Sequence, residues 1–197
     1  ENGYHAIIRN SGGLAVALDR GVLNISLIIP GAKNISITDG YEMMYELIQY
    51  ILKDLTTDIK AYEIIGSYCP GDYDLSIDGV KFAGISQRRI HNGVAVQIYL
   101  DVEGNSQDRA SVIREFYDIS LKGEETKFEY PTVIPEKMGS LSELLGKKLT
   151  IDDMKERVQS ALEEWFDKVV TIPFTNEEIE HYHTRLQQMK NRNERVF

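Results

Sequence analysis

The sequence predicts an α+β fold: a mixed, largely antiparallel sheet with packed helices, followed by a helical C-terminal segment. Three observations predict it. Short runs rich in β-branched and aromatic residues fill the first half of the chain. The dipeptides Asp78-Gly79 and Asn92-Gly93 lie between such runs, where two-residue turns join antiparallel neighbours. The last third carries helical periodicity behind capping residues. Irregular alternation dominated by hairpins argues against a doubly wound parallel sheet.

In chain order, 3–9 reads as a strand and Ser11-Gly12-Gly13 as a turn. Leu14–Leu18 and Val22–Ile29 read as two further strands. Thr38-Asp39 offers a helix N-cap, and Tyr41, Met44, Leu47, Ile48, Ile51, Leu52 and Leu55 then share one stripe. A short strand is expected at 61–65. A three-stranded meander is expected over 72–102, turning at Asp78-Gly79 and Asn92-Gly93. A helix from Ser106 to Leu121 presents Ala110, Ile113, Phe116 and Tyr117 inward. After Gly123, a loop with Pro131 and Pro135 leads to helices at 140–145, 150–169 and 176–195. The expected division is 1–122 as a catalytic domain and 123–197 as a helical segment.

Composition narrows the function. The 197 residues suffice for one domain with its own core. A net charge of -9 argues against non-specific nucleic-acid binding, which needs a basic footprint. No apolar run approaches the ~18 residues of a membrane span, so no membrane partner is expected. The chain has one cysteine, so no internal disulfide forms, and a reducing cytoplasmic setting is expected. It starts at Glu1 rather than Met: either the start is processed, or the chain is part of a longer product with an N-terminal part missing.

Three segments hold residues suited to chemistry. In Arg9-Asn10-Ser11-Gly12-Gly13, two glycines beside a cation let backbone N–H groups approach a ligand. In Gly66-Ser67-Tyr68-Cys69-Pro70-Gly71, the cysteine sits on a loop that Pro70 and Gly71 make irregular. A packing cysteine belongs on a helix or strand face; a nucleophile belongs on a scaffolded loop. In Gly79-Val80-Lys81-Phe82-Ala83-Gly84, alternation sets Lys81 on an inward face with Ala83 and Ile85, and Gly84 on the other. A buried ammonium calls for an anion or a thiolate beside it. Together the segments suggest a thiol acyltransferase. The Cys69 thiolate would be the nucleophile, Lys81 would lower its pKa and exchange protons, and loop N–H groups would hold the oxyanion.

These segments resemble the biotinyl/lipoyl protein ligase superfamily. Arg-Asn-Ser-Gly-Gly-Leu-Ala-Val is similar to its glycine-rich loop, and Gly-Val-Lys-Phe-Ala-Gly to its lysine strand. Ser-Tyr-Cys-Pro-Gly-Asp-Tyr-Asp resembles the protein N-octanoyltransferases that act as lipoyl amidotransferases; ATP-dependent ligases carry no cysteine there. The resemblance covers residues 5 to about 120 well. It implies octanoyl transfer from the lipoyl lysine of the glycine-cleavage H protein to a lysine of E2 lipoyl domains. It implies Cys69 and Lys81 as the catalytic pair, with no ATP and no metal. Arg9, Ser11, Gly12, Gly13, Gly84 and Gln87 are the expected substrate-binding residues. Arg88 and Arg89, the basic cluster nearest the site, are the expected partner-facing ones.

Three alternatives stay open at this level. A sister octanoyltransferase takes its acyl group from acyl carrier protein. An ATP-dependent lipoate ligase would survive loss of Cys69. A lipoyl-domain binding module would form no thioester at all. An octanoyl tail contributes at most about 5 kcal/mol by burial, at ~0.8 kcal/mol per CH₂. That orients a chain without binding a protein tightly.

Overall fold

The computed structural model describes residues 3–9, 12–124 and 127–195. It comprises two compact units, Ser11–Leu162 and a second made of Glu1–Asn10 with Glu163–Phe197. These lines differ from a division at residue 122. The segment after Gly123 returns to the sheet of the first unit: Ile134 N–H donates to the Gly66 carbonyl at 2.7 Å, and Gly139 N–H to the Lys81 carbonyl at 3.0 Å.

The first unit is built on five strands: β1 (Val22–Ile29), β2 (Lys60–Ala61), β3 (Asp74–Ile77), β4 (Val80–Ile90) and β5 (Gly93–Asp101). Their order is β1-β5-β4-β3-β2, and every pair is antiparallel. An isolated parallel bridge joins Lys81 to Met138. One face is apolar. Val94, Val96, Ile98 and Leu100 of β5 point there, against Met44, Leu47, Ile48 and Ile51 of α1 (Ile37–Ile51). α3 (Leu141–Leu144) and α4 (Ile151–Trp165) add Leu141, Met154 and Ala161 to that core. The other face carries α2 (Ser106–Leu121), a 3-10 turn at Pro135–Lys137, and a smaller cluster of Tyr68, Tyr99, Ala110, Ile113, Tyr117 and Met138. Burying each large apolar side chain stabilises by about 1.5–3 kcal/mol, so both faces anchor the sheet.

Several elements differ from the sequence reading. Residues 3–9 and 14–18 form no strand. Alternation supplies a face but not a partner: Ile8 N–H donates instead to Asn193 Oδ1 of α5 (Asn176–Glu194), at 2.6 Å within the second unit. The strand expected at 61–65 shrinks to two residues. α1 starts two residues early, because Ser36 and Asp39 close a reciprocal capping box. Asp78 and Gly79 both have positive φ, 51° and 74°, as a type I′ turn requires. The next hairpin turns one residue earlier than expected: Ile90 pairs with Gly93, and His91 takes φ 52°. Histidine tolerates that region better than most residues. Phe116 is exposed rather than inward, whereas Arg109 of the same helix is buried.

One irregularity decides the site. The β3–β4 register shifts between Leu75 and Ser76: Leu75 pairs with Ala83, but Ser76 pairs with Lys81. Phe82 is the extra residue of a β-bulge. Phe82 and Ala83 therefore both enter the α1-side core. Lys81 and Gly84 share the opposite face: a Cβ at Gly84 would lie 3.6 Å from Lys81 Nζ. Simple alternation, which paired Lys81 with Ala83 and Ile85, fails at this bulge.

Candidate active site

The Cys69 loop enters from β2 and returns into β3. Cys69 has φ 48°, a left-handed conformation that is uncommon without a glycine. Such strain costs on the order of 1–3 kcal/mol and persists where surroundings over-determine it. Here they do. Ser67 N–H donates to the Ile64 carbonyl at 3.0 Å, and Asp74 N–H to the Gly71 carbonyl at 3.0 Å, on either side of the cysteine. The thiol is half-buried, and its Sγ accepts the Leu14 N–H at 3.1 Å. Leu14 directly follows the two-glycine turn. Gly13 takes φ 99°, so that turn needs its glycine.

Lys81 is fully buried. Its Nζ donates to the Tyr68 and Cys69 carbonyls, both at 2.9 Å, and to Ser67 Oγ at 3.3 Å. It pairs with Asp74 Oδ1 at 2.8 Å. Burial pushes the Lys81 pKa below the usual lysine range; Asp74, and more weakly the nearby Cys69 and Glu63, oppose the shift. Burial likewise pushes Asp74 above the usual carboxylate range against the pull of Lys81. Both partners thus lean towards neutrality, which suits a lysine that must give up and regain a proton.

Tyr99 of β5 completes the wall. Its ring centroid lies 5.9 Å from Lys81 Nζ and 5.9 Å from the Tyr68 ring. Among the described residues its buried hydroxyl has no hydrogen-bond partner, and burial raises its pKa well above the tyrosine norm. Gly84 makes this possible: a Cβ there would lie 2.8 Å from Tyr99 Cε1. Asp74 and Tyr99 were missed by the sequence reading. The signal for Asp74 was its place two residues before Ser76 on the strand facing Lys81.

The other expected residues disperse. Gly12 and Gly13 precede Leu14, beside the thiol. Gly84 lies under Tyr99, on the site face. Ser11 lies outside the described residues. Arg9 is half-buried in the second unit. Gln87 and Arg89 point to the α1 side, away from Lys81. Gln87 Nε2 donates to the Ile37 carbonyl at 2.5 Å, and Arg89 to the Ile35 and Ser36 carbonyls at 2.7 and 2.5 Å. They hold the start of α1. Regular alternation beyond the bulge puts them there, on the face opposite Lys81. Arg88 is exposed and shares the parity of Gly84.

A second buried ion cluster lies on the same face. Arg109 donates Nε and Nη2 to the two carboxylate oxygens of Asp19, at 2.9 and 2.7 Å, and Nη1 to Asp101 at 2.7 Å. Ser106 donates to the other Asp101 oxygen at 2.8 Å. No cluster of His, Cys, Asp and Glu suited to a metal occurs among the described residues.

Comparison with known proteins supplies the family. The model of the lipoyl protein ligase A/B catalytic domain matches residues 1–163. Octanoyl-[GcvH]:protein N-octanoyltransferase of Oceanobacillus iheyensis is 66% identical over 194 residues, covering 98% of this chain and 70% of the relative. The relative of that name from Exiguobacterium sp. is 51% identical, with 98% and 69% covered. The chain belongs to this family. It is an acyltransferase of the octanoyl-transferring kind, as the motifs implied. Solved structures share the fold at low identity. A bi-partite lipoate protein ligase of Thermoplasma acidophilum, studied with its E2 lipoyl domain, gives a TM-score of 0.65 at 20% identity over 91% of this chain and 65% of that one. Lipoate-protein ligase A bound with ATP gives 0.69 at 18%, over 91% and 66%.

Proposed function

We propose that this family member moves octanoate through a thioester on Cys69, from the lipoyl lysine of the glycine-cleavage H protein to a lysine of E2 lipoyl domains. The observation that carries the reading is the strained, half-buried Cys69, with Leu14 N–H on its Sγ and the Lys81 ammonium against its own carbonyl. The Cys69 thiolate attacks the donor amide carbon. As the C–N bond breaks, the Lys81 ammonium protonates the departing amine. The acceptor amine then attacks the thioester, neutral Lys81 takes its proton, and the thiolate leaves. One amide replaces another, so neither ATP nor a metal has a step to supply.

The amide is a poor electrophile, so positioning and oxyanion stabilisation provide most of the acceleration. Leu14 N–H is the donor placed to turn from Sγ to the developing oxyanion. Gly84 lets the Tyr99 ring lie close against β4, and that ring walls the acyl path. Gly12 and Gly13 lead into the Leu14 N–H, and Arg88 faces the incoming domain. A lone thiol and the absence, among the described residues, of a helix able to cross a membrane fit a cytoplasmic setting. The test is transfer with purified partners and no nucleotide. Octanoyl-H protein should label a lipoyl domain. Transfer from octanoyl-acyl carrier protein alone, or transfer that requires ATP, contradicts the reading.

A further inference from the structure

We propose that Asp74 is the positioning residue of this site: its carboxylate clamps the Cys69 loop and holds Lys81 protonated and aimed until the thioester has formed. This rests on the acid–base reading of Lys81.

The geometry is specific. One carboxylate oxygen meets Lys81 Nζ at 2.8 Å. The other accepts the Ile64 N–H at 3.2 Å and the Ser67 hydroxyl at 3.4 Å. The Asp74 N–H donates to the Gly71 carbonyl at 3.0 Å. The carboxylate thus holds residues 64 and 67 before Cys69, and the Asp74 backbone holds Gly71 after it. Asp74 is 2% exposed, so these bonds are not shared with bulk water. The same clamp turns the Tyr68 and Cys69 carbonyls onto Lys81 Nζ. A buried ammonium without a carboxylate would lose its proton at a much lower pH. Removing the charge of Asp74 should therefore leave Lys81 a base that is free too early and an acid that is absent when the donor amine departs.

The charged and titratable groups facing Lys81 are Asp74 on β3, Cys69, Tyr68 and Glu63 of the preceding segment, and Tyr99 on β5. From the 3-10 turn side the neighbour is Met138, which does not titrate. Asp74 is the carboxylate in contact. A packing role and a positioning role predict different things. Lost packing lowers the rate by one factor at every pH. A lost charge moves the pH profile.

The experiment follows the second half-reaction in the whole chain. Cys69 is acylated with p-nitrophenyl octanoate, and octanoyl release to hydroxylamine, an amine neutral over the range used, is timed across pH. The acid limb of that rate reads the proton on Lys81. Asp74→Asn keeps an acceptor for Ile64 but no charge, and its acid limb should fall by about one pH unit or more. Asp74→Ser, a second neutral variant, should shift the same way, and Asp74→Glu should return the limb towards the wild-type position. Neutral variants that slow release equally at all pH, with the limb unmoved, overturn the proposal. Lys81→Met separates the two readings. If it removes the acid limb while the Asp74 variants leave the limb in place, the Asp74 proposal alone fails. If it leaves the limb in place, the acid–base reading of Lys81 fails and takes the proposal with it.

Discussion

Two buried cations lie on the same face of the sheet, and their surroundings differ in kind. Arg109 is gripped by a fork of two bonds to Asp19, a third to Asp101 and a fourth to the Glu103 carbonyl at 2.8 Å. Burial opposes its charge, but the two carboxylates more than offset it and its pKa rises. Lys81 has one carboxylate and otherwise neutral oxygens, so burial prevails and its pKa falls. Guanidinium keeps its proton in proteins, whereas a buried ammonium shifts its pKa readily. The Arg109 cluster joins Asp19, the end of β5 and the start of α2 into a fixed corner. The Lys81 cluster holds a proton loosely beside a thiol. Similar burial thus yields a structural lock in one place and, on the proposed function, a chemical site in the other.

Exchanging the cations is the sharpest way to break this comparison. Lys81→Arg keeps a positive charge but loses a usable base, so acyl transfer should fall by about 10²–10⁴-fold, as in Lys81→Met. Activity within a few-fold of wild type, in a variant with an unchanged melting curve, would remove the proton-transfer role. Arg109→Ala should act the other way. It leaves Asp101 buried and unpaired, and should destabilise the fold by about 3–5 kcal/mol in denaturant titration. The acid limb of release should stay where it is in the surviving folded protein. A shifted limb would mean that the two clusters are electrostatically one.

The smallest effect concerns pH and stability. Burial, partly offset by Arg109, raises Asp101 from 3.8 to about 6. The folded chain therefore takes up this proton before the unfolded chain does. Its contribution to stability grows as pH falls from about 7 towards 4 and is lost as pH rises through about 6. The shift sets an upper bound of about 3 kcal/mol. Stability of the wild type relative to Asp101→Asn should thus rise on acidification in that window. A difference that is flat or falls with decreasing pH contradicts it.

Much of this was legible in the sequence. The Asp78-Gly79 turn placed the hairpin, the loop residues Pro70 and Gly71 set Cys69 apart, and the lysine strand pointed to its partner. What escaped was non-local. The bulge at Phe82 is a register shift between two strands, and no single-strand pattern records it. It moved Gly84 to the side of Lys81 and left Gln87 and Arg89 on the α1 side. Asp74 and the Leu14 N–H reach the site through pairing and loop closure across many residues. The segment after Gly123 read as a break in character because its prolines mark a loop. The bridge from Met138 to Lys81 carries it back to the site all the same.

The central claim is that Cys69 carries the acyl group. Intact mass spectrometry of the chain after incubation with octanoyl-H protein tests it most directly. The account predicts a gain of one octanoyl group that hydroxylamine removes and that is missing in Cys69→Ala. An unmodified mass in a preparation that still transfers octanoate, or the same adduct in Cys69→Ala, would contradict it.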